Sequence, residues 1–399
     1  MTWGLRFRFW VCLIGICATS PAWAADLLIA NVTLIDGTGA PAVKGAWVSV
    51  KDGRIDRISR APIRVSGAEK IDGKVKFLIP GLIDIHVHLK GGGAWGDKPA
   101  PDIEKGLKGL RAYLDNGVTT IFDAGNNPEF IYGLRAQERA GEIVSPRIFA
   151  TGQVFGASSL RGRGQDPNAL PDWPEIEARL ERVIVMKPDV QKFSFERFGA
   201  NTGEVIPLIP LDAMARIVAY VRAKNVRTTI HITDEVIAST VVTAGMSTLE
   251  HPVVTAPISD ALAKRILDGK VAFATTFSIF DDTEGMGWPA WTKPMIAIAQ
   301  ANVKNLVEHG GIAALGSDHF DAAMVHHEIM RIGQMGLPPT TTLRIATLNG
   351  AIFIGREKEF GSLERGKWAD MVLLDADPLA DLANLKRIHA VYKAGQRIQ

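Results

Sequence analysis

Four short apolar runs in this chain end in side chains that ligate metals. His86 and His88 close the run Phe77-Leu78-Ile79-Pro80-Gly81-Leu82-Ile83-Asp84-Ile85, and His231 closes Arg227-Thr228-Thr229-Ile230. His251 closes Thr248-Leu249-Glu250, and Asp318 closes Ile312-Ala313-Ala314-Leu315-Gly316-Ser317. Residues two apart on a strand face the same side, so His86 and His88 can reach one ion. A His-x-His pair alone also arises on wet strand faces. The recurrence at four run ends makes it a constraint, because the fold must bring strand ends far apart in sequence to one point.

From about residue 77 to residue 355, short apolar runs alternate with longer amphipathic ones, the mark of strand–helix units and a parallel sheet. Eight strands are predicted, near residues 82–88, 118–123, 147–152, 189–196, 227–232, 247–251, 271–278 and 312–318. The intervening segments read as helices; in 102–114, Ile103, Leu107, Leu110 and Leu114 recur at helical spacing until Asn116-Gly117 stops them. Eight strands close a barrel, so the expected fold class is α/β, a (β/α)8 TIM-like barrel over residues 77–358. The flanks lack helical periods. Residues 25–76 carry strand-like runs broken by Asp36-Gly37 and Asp52-Gly53, and 359–399 add Met371-Val372-Leu373-Leu374 and His389-Ala390-Val391-Tyr392. Both ends are expected to join in a small β-sandwich domain, with two unrelated appendages as the alternative.

Residues 1–24 read as a secretory signal peptide: Arg6 and Arg8 precede an apolar run, and Ala22-Trp23-Ala24 supplies a small-x-small cleavage site. The alternative, a membrane anchor, meets a run too short to span a bilayer. The expected location is therefore secreted or periplasmic. Both cysteines, Cys12 and Cys17, fall inside that leader, which excludes disulfides, thiolate ligands and a cysteine nucleophile downstream. Without Arg6 and Arg8, 43 basic residues face 43 acidic ones, and no charge excess points to nucleic acid or to an anionic membrane. The partner this implies is a small-molecule substrate, with a homo-oligomer left open.

The ordered motifs go further. Ile79-Pro80-Gly81-Leu82-Ile83-Asp84-Ile85-His86-Val87-His88, Gly117-Val118-Thr119-Thr120, Glu250-His251, Gly316-Ser317-Asp318 and the closing Gly361-Ser362-Leu363-Glu364-Arg365-Gly366-Lys367-Trp368-Ala369-Asp370 together resemble the amidohydrolase superfamily, on its imidazolonepropionase-like and prolidase-like branch. The resemblance implies two divalent metal ions. His86, His88 and Asp318 would hold the more buried one, and His231 and His251 the other. The donor types suit zinc, with manganese, iron and cobalt as alternatives. Lys192, within Val190-Gln191-Lys192-Phe193-Ser194-Phe195, takes the position where many binuclear relatives carry an N6-carboxylated lysine whose carbamate bridges the metals. Two dications would repel a free ammonium there, whereas a carbamate is an anionic ligand. The following Phe195-Glu196-Arg197-Phe198-Gly199 departs from relatives that place a short residue and paired glycines after the lysine. With Lys192 free, the site would hold one ion.

Chemistry of this kind lowers the pKa of a bound water to roughly 7, and the resulting hydroxide attacks a carbonyl. Asp318 is the implied general base, which later protonates the leaving nitrogen, with ligation alone as its alternative. The reaction so implied is hydrolysis of a C–N bond in an amide, cyclic amide or dipeptide. The same machinery serves a lactonase, esterase, carbamate hydrolase or phosphotriesterase, and a deaminase or an inactive binding protein follow behind. Specificity belongs to the loops after the strands, where Arg161, Arg163, Arg197, Trp288 and His319 are the candidate substrate contacts. An arginine there would suit a substrate carboxylate; solvated loop charges are the plain alternative. Asp123 either orders the site through a hydrogen bond or serves a turn. His309, His326, His327 and His389 read as structural.

Overall fold

The computed structural model describes residues 26–92, 100–156, 171–195, 209–280 and 292–399. The leader, Arg161, Arg163, Arg197 and Trp288 lie outside the described residues.

All eight predicted barrel strands form. They are β6 (Leu82–Val87), β7 (Val118–Asp123), β8 (Arg147–Ala150), β10 (Val190–Ser194), β11 (Arg227–His231), β12 (Thr248–Glu250), β13 (Ala272–Ala274) and β14 (Ala313–Ala314), with a two-residue β9 (Phe155–Gly156) added. Their pairings are parallel, and β6 and β7 are buried on both faces, as parallel strands covered by helices must be. The expected single ladder is corrected to two arcs, β6-β7-β8 and β9-β10-β11-β12-β13-β14. Isolated backbone bonds cross the seams between them: Asp189 N–H to Ala150 O at 2.9 Å, Ile85 N–H to Leu315 O at 2.9 Å and Asp318 N–H to His86 O at 2.7 Å. One seam stays narrow because β14 is only two residues long and Asp318, at φ 49°, turns the chain out of the strand path. Helices follow the strands with ordinary caps. Ile103–Asp115, for example, begins at Asp102, whose carboxylate accepts the Lys105 N–H, and buries Leu110, Tyr113 and Leu114.

The flanks depart from expectation in a second way. β1 (Leu27–Leu34), β2 (Val43–Lys51), β3 (Arg54–Ser59), β4 (Glu69–Asp72), β5 (Phe77–Pro80), β15 (Met371–Leu374), β16 (Ile388–Lys393) and β17 (Gln396–Arg397) form one sheet, not the two facing sheets of a sandwich. The two chain ends meet where β5 pairs antiparallel with β15, Leu78 opposite Leu373. This sheet keeps its own apolar cluster, including Leu27, Ile29, Val48, Leu78, Met371, Leu373 and Tyr392. β5 thus belongs to the flanking sheet, and the barrel starts one strand later. Gly81 is the joint: a Cβ there would lie 1.9 Å from Thr119 Oγ1, so only glycine fits between β5 and β6. Arg147 ties the two parts together, with Nε 2.6 Å from Asp370 Oδ2 and its guanidinium 4.7 Å from the Trp368 ring. Among the described residues, no helix is long and apolar enough to cross a membrane.

His326, on the helix Met324–Gly333, is 4% exposed. Burial, reinforced by the Lys386 charge, lowers its pKa from 6.5 to about 4 against the opposing pull of a hydrogen bond to the Asn116 backbone. Between those values the unfolded chain binds a proton that the native chain refuses. The contribution is therefore complete above pH 6.5 and is lost as pH falls toward 4, amounting to about 3 kcal/mol there. His326→Gln is expected to lose about that much less stability than wild type between pH 7 and pH 4 in urea unfolding. An equal acid loss in both proteins would contradict it.

Candidate metal centre

β6 carries Asp84, His86 and, one residue past its end, His88 on one face, while Val87 packs in the large apolar core. Asp84 is wholly buried; its Oδ1 accepts the Ser317 N–H at 3.0 Å and the His86 N–H at 3.2 Å. It thereby stitches β6 to the segment that presents Asp318. Burial pushes the Asp84 carboxyl up to about 7, against those hydrogen bonds.

Asp318 is the point on which the rings converge. Its Oδ1 lies 3.3 Å from both His86 Nε2 and His88 Nε2, and its Oδ2 lies 3.8 Å from His251 Nε2. Each ring is held from behind through its other nitrogen. His88 Nδ1 is 2.9 Å from Gly125 O, and His251 Nδ1 is 2.8 Å from Thr276 Oγ1. His86 Nδ1 is 2.7 Å from Glu250 Oε2, close but angled away from a straight hydrogen bond. Because a carbonyl or carboxylate only accepts, the Nδ1 atoms of His88 and His86 carry the protons and their Nε2 lone pairs face Asp318. His251 Nε2 is buried with no hydrogen-bond partner.

Electrostatics agrees with that arrangement. Burial pushes His86 and His251 below the ordinary histidine value, with the neighbouring His231 adding to the effect at His251, so the neutral, ligating form is favoured. Burial alone would raise Asp318; positive charge facing its carboxylate, as from these imidazoles when protonated, outweighs burial and holds it below the usual carboxylate range.

His86, His88 and Asp318 bring one ligand atom each within 4.8 Å of one another, a geometry that can hold a metal ion. An orphaned buried imidazole nitrogen beside two more lone pairs and a carboxylate is a donor set that fits a divalent cation. Lys192 reaches the same point, its buried Nζ 2.9 Å from His86 Nε2. His231 ends β11 with its ring 4.3 Å from that of His251, outside the three-residue group. His319 accepts the Asp321 N–H on Nδ1 at 3.0 Å, beside the site on the next residue of the loop.

Four residues near the site were not singled out from sequence. Asp84 and Glu250 could have been found, since each is a carboxylate inside an otherwise apolar run. Thr276 and Glu328 carry no such signal. Glu328 is fully buried and accepts the N–H groups of Phe277 at 2.9 Å and Ser278 at 2.7 Å, holding the turn from which Thr276 supports His251. For Asp123, both readings left open by the sequence describe one arrangement. It accepts from Leu89 N at 2.9 Å, Gly125 N at 3.1 Å and Asn126 Nδ2 at 2.8 Å, and the turn so fixed offers the Gly125 carbonyl to His88.

Comparison with known proteins places this geometry in context. Residues 77–398 match the amidohydrolase family. The chain is 24% identical over 407 residues to the imidazolonepropionase of Thermoanaerobacter pseudethanolicus, covering 89% of this chain and 92% of that protein. Among solved structures it resembles a Xaa-Pro dipeptidase with bound methionine in its active site (TM-score 0.78, 20% identity, 94% of this chain and 100% of that one). Phenylurea hydrolase B is similarly close (TM-score 0.79, 22% identity, 94% and 97%). These likenesses bear out the TIM-like architecture expected from the strand count.

Gly316 packs directly against the candidate ligand His86. A Cβ there would lie 2.8 Å from His86 Cβ and 3.3 Å from both Ile85 Cδ1 and Thr276 Cγ2. Gly316→Ala is expected to cost about 1–3 kcal/mol in stability and to displace His86. The check is thermal unfolding alongside zinc uptake; wild-type values for both would contradict this packing account.

Proposed function

Because the chain belongs to the amidohydrolase family and is a hydrolase of C–N bonds, we propose that it cleaves a small amide, cyclic amide or dipeptide at a binuclear metal centre. In this reading His86, His88 and Asp318 would hold one divalent ion and His231 and His251 the other, with Lys192, as its N6-carboxylate, a ligand shared between them. Zinc suits these donors. The observation that carries the reading is the convergence of three buried Nε2 atoms on the two oxygens of Asp318, each ring fixed through its opposite nitrogen.

When bound, the ions supply Lewis acidity toward a carbonyl oxygen and toward water. The chain's own groups do the rest. Asp318, held ionised, accepts a proton from the attacking water and returns it to the departing nitrogen. Burial excludes bulk water from His86, His88 and His251 and favours the neutral form of His86 and His251. Lys192 Nζ stands against His86 Nε2, a position that favours an anionic carbamate over an ammonium once cations are present. Arg161, Arg163, Arg197, Trp288 and His319 are the proposed substrate contacts, an arginine serving a substrate carboxylate. The leader at residues 1–24 makes the protein secreted or periplasmic in this account.

Two experiments test it. Lys192→Ala is expected to reduce zinc from two equivalents per chain to one or none by elemental analysis, whereas unchanged content would remove the bridging role. Metal-loaded protein is expected to hydrolyse N-acyl amino acids, dipeptides or cyclic amides in a matched panel with their ester analogues. An enzyme fast on esters or lactones and inert on every amide would overturn the C–N assignment in favour of an esterase or lactonase.

A further inference from the structure

The rings of His88 and His251 are backed by neutral groups, a carbonyl and a hydroxyl, whereas that of His86 is backed by a carboxylate. Glu250 ends β12 opposite His231 of β11 and is 0% exposed. Glu250 turns inward across the barrel to β6, and His251, just past the strand end at φ 71°, brings its ring to the same interior at Asp318. Its Oε1 accepts the Thr229 hydroxyl at 3.0 Å and its Oε2 stands 2.7 Å from His86 Nδ1. We propose that Glu250 is a positioning residue that keeps the proton of His86 on Nδ1, making Nε2 the donor atom and His86 the strongest imidazole ligand of the centre.

The inference rests on the metal-centre reading and deepens it. A neutral imidazole has a single N–H, and a carboxylate can only accept, so the proton goes to the nitrogen facing Glu250. The far side of the ring agrees: Nε2 faces Lys192 Nζ at 2.9 Å, an arrangement that requires a lone pair on Nε2 when the amine donates. A carboxylate behind the ring also raises its basicity as a ligand, and loss of such partners commonly costs 10–100-fold in metal affinity. Thr229 holds the carboxylate in place from the neighbouring strand, so the orientation of His86 is set by three strands at once.

The test compares wild type with Glu250→Gln and Glu250→Leu. Zinc affinity is measured by chelator competition, and the His86 tautomer by long-range proton–nitrogen NMR on histidine-labelled, metal-free protein, the resonance being assigned with His86→Ala. Glu250→Gln, whose amide oxygen still accepts, is expected to keep the Nδ1–H tautomer and lose about 10-fold in affinity. Glu250→Leu is expected to give mixed tautomers and a loss of about 100-fold. Unchanged affinity in the glutamine variant, or an unchanged tautomer in the leucine variant, would overturn the assignment, and the glutamine result alone decides if the leucine variant does not fold. Wild-type protein that takes up no zinc would instead defeat the metal-centre reading, and the tautomer comparison would still decide the role of Glu250.

Discussion

The contact between the Asp318 carboxylate and three buried imidazoles is the constraint around which the rest of this structure is arranged. Burying so many polar groups is tolerable only when each finds a partner of fixed geometry. Each ring turns Nε2 toward Asp318 and meets a group behind it through Nδ1, a carbonyl, a carboxylate and a hydroxyl in turn. Asp318 itself adopts φ 49° and is pinned through its N–H to His86 O, so its direction is set by backbone as much as by side chain.

A second set of buried carboxylates carries this order outward. Asp84 binds the backbone on both sides of the seam between β6 and β14; Asp123 shapes the turn that presents the Gly125 carbonyl; Glu328 shapes the turn that presents Thr276. None of the three reaches the convergence point. Each fixes a loop that fixes a ring, which explains why these three acidic side chains sit inside the core.

Much of this was legible in the sequence because it is written locally. Alternating apolar and amphipathic runs located all eight barrel strands, and their terminal histidines and aspartate marked one end of the barrel. What escaped depends on pairing between distant segments. The largely apolar run from Phe77 to Ile85 hides a change of domain at Gly81, visible only once Thr119 is seen against it. The sandwich expected from the flanks became one sheet because β5 pairs with β1 on one side and with β15 on the other, a choice that no local pattern encodes. Glu250 was visible as a charged residue in a strand, but its partner lies six strands earlier in the chain.

The most direct test of the account is an anomalous difference map at the zinc absorption edge from crystals grown with zinc. The account predicts a peak about 2.0–2.1 Å from the Nε2 atoms of His86 and His88 and bonded to Asp318. Fully ordered His86, His88 and Asp318 with no peak between them, or zinc bound only at surface residues elsewhere, would contradict it.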